Sequence, residues 1–233
     1  SAMKRDLSAE QGKKTSIRFT IFIYFTVSAL AIILFIGVIL YLQMSRQLAL
    51  AVQEENQAVL GQINRSVDSY LRTIMKLSDS LYYGVIKNAD LSTESVNSQI
   101  TLLYDNNKDS IANIALLSQE GELLESVPAA RLKTGLDVTE EEWFGNTLAR
   151  TDNLHFTTPH VQYIFDSNEN QYRWVITLTR AVEITHGTST EQGILLIDIR
   201  YSSLQQILEN IALGNQGYLY MMGNDGELIY HPK

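Results

Sequence analysis

Gly193–Ile199 reads GILLIDI, and Asp198 is the one charge in that apolar run. A carboxylate in such a strand is unexpected unless it is paired or exposed. Asp198 either caps the helix that should begin at Tyr201, or is a polar group set to meet a partner. Glu140, Glu141 and Glu142 precede Trp143 and Phe144. Acidic residues at a helix start complement its dipole, a better reading of the three glutamates than acid–base catalysis. Trp143 and Phe144 read as core that closes a helix onto a sheet, and a core residue can also wall a pocket. His155, His160, His186 and His231 are scattered, and with no HExxH and no cysteine there is no zinc spacing. No GxxxxGK[ST] phosphate loop and no GxSxG nucleophile elbow is present. No catalytic residue, metal or cofactor is expected. Tyr163, Phe165, Tyr172 and Trp174 flank one hairpin and read as cross-strand pairs.

The element that fixes where these residues work is near the start. Phe19–Leu42 is 24 residues without a charge. As a helix it is about 36 Å long, enough to cross a hydrocarbon layer of about 30 Å. It is too long for a signal-peptide core, and helix-like sequence follows it, so it reads as a retained anchor. Ser1-Ala2 reads as a tag scar ahead of Met3. Residues 1–18 carry a net charge of +3 and the remainder −11. Basic flanks stay cytoplasmic, which predicts residues 1–18 inside and residues 44–233 outside. An acidic exterior excludes nucleic acid as a partner.

From Gln43 to Lys87 there is no proline, and Leu48, Val52, Val59, Ile63, Val67, Tyr70, Ile74, Leu77 and Leu81 recur at helical steps. This predicts a stalk helix over 43–87 continuing out of the anchor. Leu48–Ile63 suits either packing on its own domain or self-pairing in a homodimer. Beyond it, a short helix is predicted around Ser95–Tyr104 and another over Glu140–Arg150. Strands are predicted at Ile111–Ser118, at Leu123-Leu124, and over His155–Phe165, Tyr172–Ile184 and Gly193–Arg200. Asp166–Gln171 and Thr185–Gln192 read as polar turns, and Tyr201–Leu213 as a helix. The class is α+β: an antiparallel sheet flanked by helices. One pattern recurs. LLSQEGELLESVP (Leu116–Pro128) matches MMGNDGELIYHP (Met221–Pro232), with Gly121 and Gly226 at the same place. Two tandem lobes of similar fold are inferred, one over 88–213 and a second beginning at 214 and cut after its first hairpin.

This order, an anchor, a long helix, a mixed lobe and the opening GNQGYLYMMGNDGELIYHP of another, resembles the double-Cache sensor domains of bacterial receptors. In detail it resembles the N-terminal half of a YesM-type sensor histidine kinase. The stretches that carry the likeness are VDSYLRTIMKLSDSLYY (Val67–Tyr83), EEWFGNTLA (Glu141–Ala149), HFTTPHVQ (His155–Gln162), YRWVITLTRAVE (Tyr172–Glu183) and GILLIDIRYSSL (Gly193–Leu204). The resemblance implies PAS-like lobes, with a small-ligand pocket in the membrane-distal one. Trp143 and Phe144 would line it, and Asp198 would face it from the last strand. In amino-acid-sensing members an arginine two residues before the tryptophan grips the ligand carboxylate, and a tyrosine seven before it helps. Glu141 and Leu136 stand there instead. Glu141 with Asp198 suits an amine or other cation. The expected function is the extracytoplasmic ligand-sensing region of a two-component sensor histidine kinase, with a small polar ligand, the membrane and a second copy as partners. The alternatives are a chemotaxis receptor or diguanylate cyclase carrying the same sensor, and, in another class, an anchored enzyme or assembly protein.

Overall fold

The computed structural model describes residues 17–87, 89–91, 94–151, 154–166, 173–210, 220–222, 226 and 228–230. Most of the N-terminal tail, Tyr172 and His231 lie outside the described residues. The chain divides into two compact units between Gln57 and Ala58. The first is described only as helix, the N-terminal part of α1 (Ile17–Asp79). Its uncharged stretch exposes apolar side chains all round, among them Phe22, Phe25, Leu34, Phe35 and Tyr41. A helix with no polar face is stable only in apolar surroundings. It is long and apolar enough to cross a membrane.

In the second unit the end of α1 turns one stripe inward. Ile63, Ile74 and Leu77 are buried, and Val59, Val67 and Tyr70 pack beside them. The helix then changes winding. Ser80–Ile86 is π-helical, with the Lys87 amide bonding to the Tyr82 carbonyl at 2.8 Å. Arg180 holds this turn: it pairs with Asp79 at 2.6 Å, donates to Tyr83 Oη at 3.2 Å, and its guanidinium lies 4.9 Å and 5.0 Å from the Tyr82 and Tyr83 rings. Such turns recur at functional points in helices.

After α2 (Glu94–Asn107), one antiparallel sheet contains β1 (Ile111–Ser118), β2 (Leu123–Val127), β3 (His155–Phe156), β4 (His160–Val161), β5 (Trp174–His186) and β6 (Ser189–Arg200). The order is β2-β1-β6-β5-β3, with β4 also on β5. The predicted turn Thr185–Gln192 is instead mostly strand: Thr185 pairs with Thr190, and only Gly187 and Thr188 form the loop. Gly187 has φ 58°, which suits the first position of a two-residue hairpin loop. The predicted strand His155–Phe165 is broken in two. Pro159 has no amide to give a ladder, and Thr157 Oγ1 accepts the Thr177 amide at 2.9 Å in place of a backbone carbonyl. The helix predicted over Glu140–Arg150 is a 3-10 turn (Val138–Glu140) and then α3 (Glu142–Ala149). α4 (Tyr201–Glu209) follows β6 directly.

β7 (Met221–Met222) and β8 (Leu228–Tyr230) pair as a small hairpin, and Met221 leans on the main core. Gly121 and Gly226 both have positive φ, 83° and 85°, so the repeated motif takes the same strained corner twice.

The long strands alternate between two cores. Ile114, Leu116, Ile176, Leu178, Leu195, Ile197 and Ile199 share a core with α1, the π turn, α2 and α4. Ala115, Leu117, Ile194 and Leu196 share the other with Val138, Phe144, Ile164 and Phe165.

Candidate functional site

On the second face, the apolar rows end in a polar one. Asn113, Asp198 and Thr177 are side by side on β1, β6 and β5. A bulge aligns them: Ile111 pairs with Ile199 and Asn113 with Asp198, so Ala112 is the extra residue on β1. Asp198 is fully buried. Thr177 Oγ1 donates to its Oδ1 at 2.6 Å and Asn113 Nδ2 to its Oδ2 at 3.2 Å. Burial pushes the Asp198 carboxyl up, against the opposing pull of these two hydrogen bonds and of His160 nearby. Asp198 does not cap α4: the N-cap is Arg200, with no side-chain cap bond.

Two further elements, α3 and the segment after β3, come close to this row. α3 is tied to the sheet by Thr147, whose hydroxyl donates to the Trp143 carbonyl at 2.7 Å and lies 2.7 Å from the buried Thr179 hydroxyl. Phe144 is buried in the second core, and Trp143 stands edge-on to it at 5.7 Å. Glu141, the N-cap of α3, makes no cap bond. Instead it accepts from Tyr163 Oη at 2.7 Å, which in turn accepts from Trp143 Nε1 at 3.2 Å. Burial, and then the Glu141 carboxylate, push the Tyr163 phenol up to about 12.

The segment after β3 brings His160 and Tyr163 together beside Thr177. His160 is edge-on to Tyr163 at 5.7 Å. Its Nε2 lies 3.4 Å from Thr177 Oγ1 and its Nδ1 lies 2.9 Å from the Thr158 carbonyl. The Gln162 side-chain Nε2 is buried with no partner among the described residues. Glu141 and Trp143 thus meet at Tyr163, Phe144 forms the core beneath, and Asp198 is linked to the same group through Thr177 and His160.

His160 and Tyr163 are the residues that sequence reasoning missed. The histidines read as scattered, and Tyr163 read as one of a set of cross-strand pairs. In fact Tyr163 faces Glu141, while Trp174 stands 6.3 Å from Tyr201. A His and a Tyr three apart, just after a proline that must interrupt a strand, was the available signal. Among the described residues, no cluster of acidic residues and histidines could hold a metal. An open groove of about 650 Å³ beside the start of α4 is lined by Lys108, Arg200 and Ser203. Arg200 Nε donates there to the Lys108 carbonyl and Ser203 Oγ to that of Asp109.

The family model of the Cache domain, in its dCache form, matches residues 44–233. The chain belongs to the Cache domain family. This Cache region is a ligand-sensing domain. It is 22% identical over 184 residues to methyl-accepting chemotaxis protein McpA of Bacillus subtilis (strain 168), a match covering 78% of this chain and 24% of that protein. The chain therefore spans about a quarter of the length of that curated relative. Its fold is similar to the ligand-binding domain of the Pseudomonas aeruginosa PAO1 amino acid chemoreceptor PctC in complex with GABA, with TM-score 0.52 and 17% identity over 76% of this chain and 72% of that one. It is likewise similar to the sensory domain of the Campylobacter jejuni chemoreceptor Tlp3 (CcmL) with isoleucine bound, with TM-score 0.52 and 16% identity over 76% and 71% of the two chains.

Proposed function

We propose that the corner formed by Glu141, Trp143, Tyr163, His160, Thr177 and Asp198 takes a small cationic ligand, such as an amine. The observation that carries this is the sign of the site: its two acidic side chains, Glu141 and Asp198, join one hydrogen-bonded group through Tyr163, His160 and Thr177. The structural relatives are described with GABA and isoleucine, both of which have a carboxylate as well as an amine. Glu141 stands where the resemblance implies an arginine, and a fixed carboxylate repels a ligand carboxylate. A cation gains from both acids, and the Trp143 face adds a cation–π contribution of about 0.5–2 kcal/mol.

The Cache region is read as anchored by Phe19–Leu42, with residues 1–18 in the cytoplasm and residues 44–233 outside. It is read as pairing with a second copy along Leu48–Ile63, where Leu48, Leu50, Val52 and Leu60 are exposed. Its output is read as a YesM-type sensor histidine kinase in a two-component system. The similarity to McpA favours a second reading, a chemotaxis receptor. Assays of the whole protein for histidine autophosphorylation and for reversible methylation decide between them.

A thermal-shift screen of the full chain against amines, amino acids and simple carboxylates tests the ligand class. Stabilisation by amines that lack a carboxylate is expected. Hits confined to carboxylates would refute the cation reading.

A further inference from the structure

His160, Thr177 and Asp198 form a hydrogen-bonded chain with an acceptor at each end. His160 Nδ1 lies 2.9 Å from the Thr158 carbonyl oxygen, which can only accept. The Thr157 hydroxyl, which can donate or accept, is also 3.3 Å from Nδ1, but the shorter carbonyl contact favours the hydrogen of the neutral ring on Nδ1 and a lone pair on Nε2. Nε2 lies 3.4 Å from Thr177 Oγ1, and Thr177 Oγ1 lies 2.6 Å from Asp198 Oδ1. One hydroxyl hydrogen must serve both junctions. If it points to Asp198, the hydroxyl oxygen faces the Nε2 lone pair. If it points to His160, the same oxygen faces the carboxylate. Either way one junction sets acceptor against acceptor, beside the buried Thr177 and Asp198 side chains.

One added proton removes the conflict. Placed on Nε2, it makes an imidazolium that donates to Thr177, which donates to the carboxylate. Placed on Oδ1, it makes a carboxylic acid that donates to Thr177, which donates to Nε2. Both arrangements hold the same number of protons and leave the Asn113 bond to Oδ2 intact. We propose that His160 and Asp198 share one proton through the Thr177 hydroxyl. This sharing rests on the ligand-site reading only for its consequence to ligands.

The other titratable groups at the corner do not compete for this proton. Glu141, at the head of α3, is occupied by the Tyr163 hydroxyl. Tyr163 meets His160 through its ring and keeps its own hydrogen on Glu141. The raised Asp198 carboxyl agrees with a proton held at that end.

The test uses the full chain in detergent micelles with 15N-labelled histidine and no ligand. The chain has four histidines, and the His160 signals are those lost in His160→Gln. The neutral ring is expected to carry its hydrogen on Nδ1. At one fixed pH, Asp198→Asn and Thr177→Val should each move the His160 ring-nitrogen signals toward those of a neutral, unpaired ring. The double variant should move them no further than the larger single effect, because all three groups act as one unit. Thr177→Ser, which keeps the hydroxyl, should give the signals of the parent chain, and the two Thr177 variants decide the matter alone if Asp198→Asn does not fold. A hydrogen on Nε2 in the neutral ring, or signals unmoved by Thr177→Val, would overturn the shared proton while leaving the ligand reading standing. Absence of any amine response with the nitrogen signals as expected would do the reverse.

Discussion

Thr177 Oγ1 donates to Asp198 Oδ1 at 2.6 Å, and the two residues are register partners on β5 and β6. The partnership makes Asp198 part of the sheet rather than a free acid: its orientation is set by strand pairing before any ligand arrives. It also concentrates several consequences on one position.

The first is stability against pH. Asp198 has a raised folded value, so it contributes stability below the ordinary aspartate range and loses it as pH climbs through the folded value. Asparagine has no such dependence. Asp198→Asn should therefore gain in melting temperature relative to the parent as pH rises from about 4, the ordinary aspartate value, and show no gain in acid. Melting curves across that range check this. A constant difference would assign the effect to packing alone.

Binding should respond oppositely. Asp198→Ala should cost about 2–5 kcal/mol of affinity for an amine, the scale for losing one buried charge partner. Affinity of the parent chain should rise with pH, because ligand and shared proton compete for one charge. Calorimetry at an acid and a neutral pH measures both. Affinity that falls with pH would contradict the competition.

Glu141 should set the class of ligand. Glu141→Arg reverses the charge opposite Tyr163 and should shift the thermal-shift profile from amines to carboxylates. Tyr163→Phe should cost about 1 kcal/mol of stability for the lost hydrogen bond and leave the preference for amines in place. An unchanged profile in Glu141→Arg would remove Glu141 from the site.

Gly193 tests the fold independently of any ligand. It pairs with Ser118 and Val182, and a Cβ there would run into the Ile184 side chain and the Leu117 carbonyl. Gly193→Ala should destabilise by about 1–3 kcal/mol, as overpacking does, measured by chemical denaturation. A neutral result would show that β5 and β6 separate more easily than their pairing implies.

The π turn depends on Arg180. Its Asp79 partner is about half exposed, so the ion pair itself contributes little, and the two aromatic faces carry most of the effect. Arg180→Ala should cost about 1–2 kcal/mol and raise hydrogen exchange at the Lys87 amide first. Equal exchange along α1 and the turn would argue that Arg180 does not hold it.

The anchor is testable because the chain has no cysteine. Gly12→Cys should resist an impermeant thiol reagent on intact cells, and Asn106→Cys should react. The opposite pattern would invert the assigned orientation.

What the sequence made legible follows from how local each signal is. β1 and the two long strands carry dense apolar patterns, and their cores are where the pattern puts them. The hairpin at Gly187 was misread as a long turn because Thr185, Thr190 and their neighbours are polar. A protruding hairpin has no buried face to mark it, only pairing. The winding change at Ser80 was invisible, since its cause, Arg180, lies 101 residues from Asp79 along the chain. Asp198 stood out as a charge in an apolar run. His160 and Tyr163 did not, because what makes them notable is their meeting with residues of α3 and β5, which no spacing encodes.

The alternation in β6 has a mechanical consequence. Asp198 is bonded on either side to Ile197 and Ile199, and those two lie in the core shared with α1, α2 and α4. A pleated strand cannot tilt one surface without tilting the other. If a guest at the polar corner shifts Asp198, the isoleucines move in the same instant against the helical layer, with no hinge or linker between to absorb the motion. Detection and report are then the two sides of a single ribbon, and the molecule needs no relay of contacts between them.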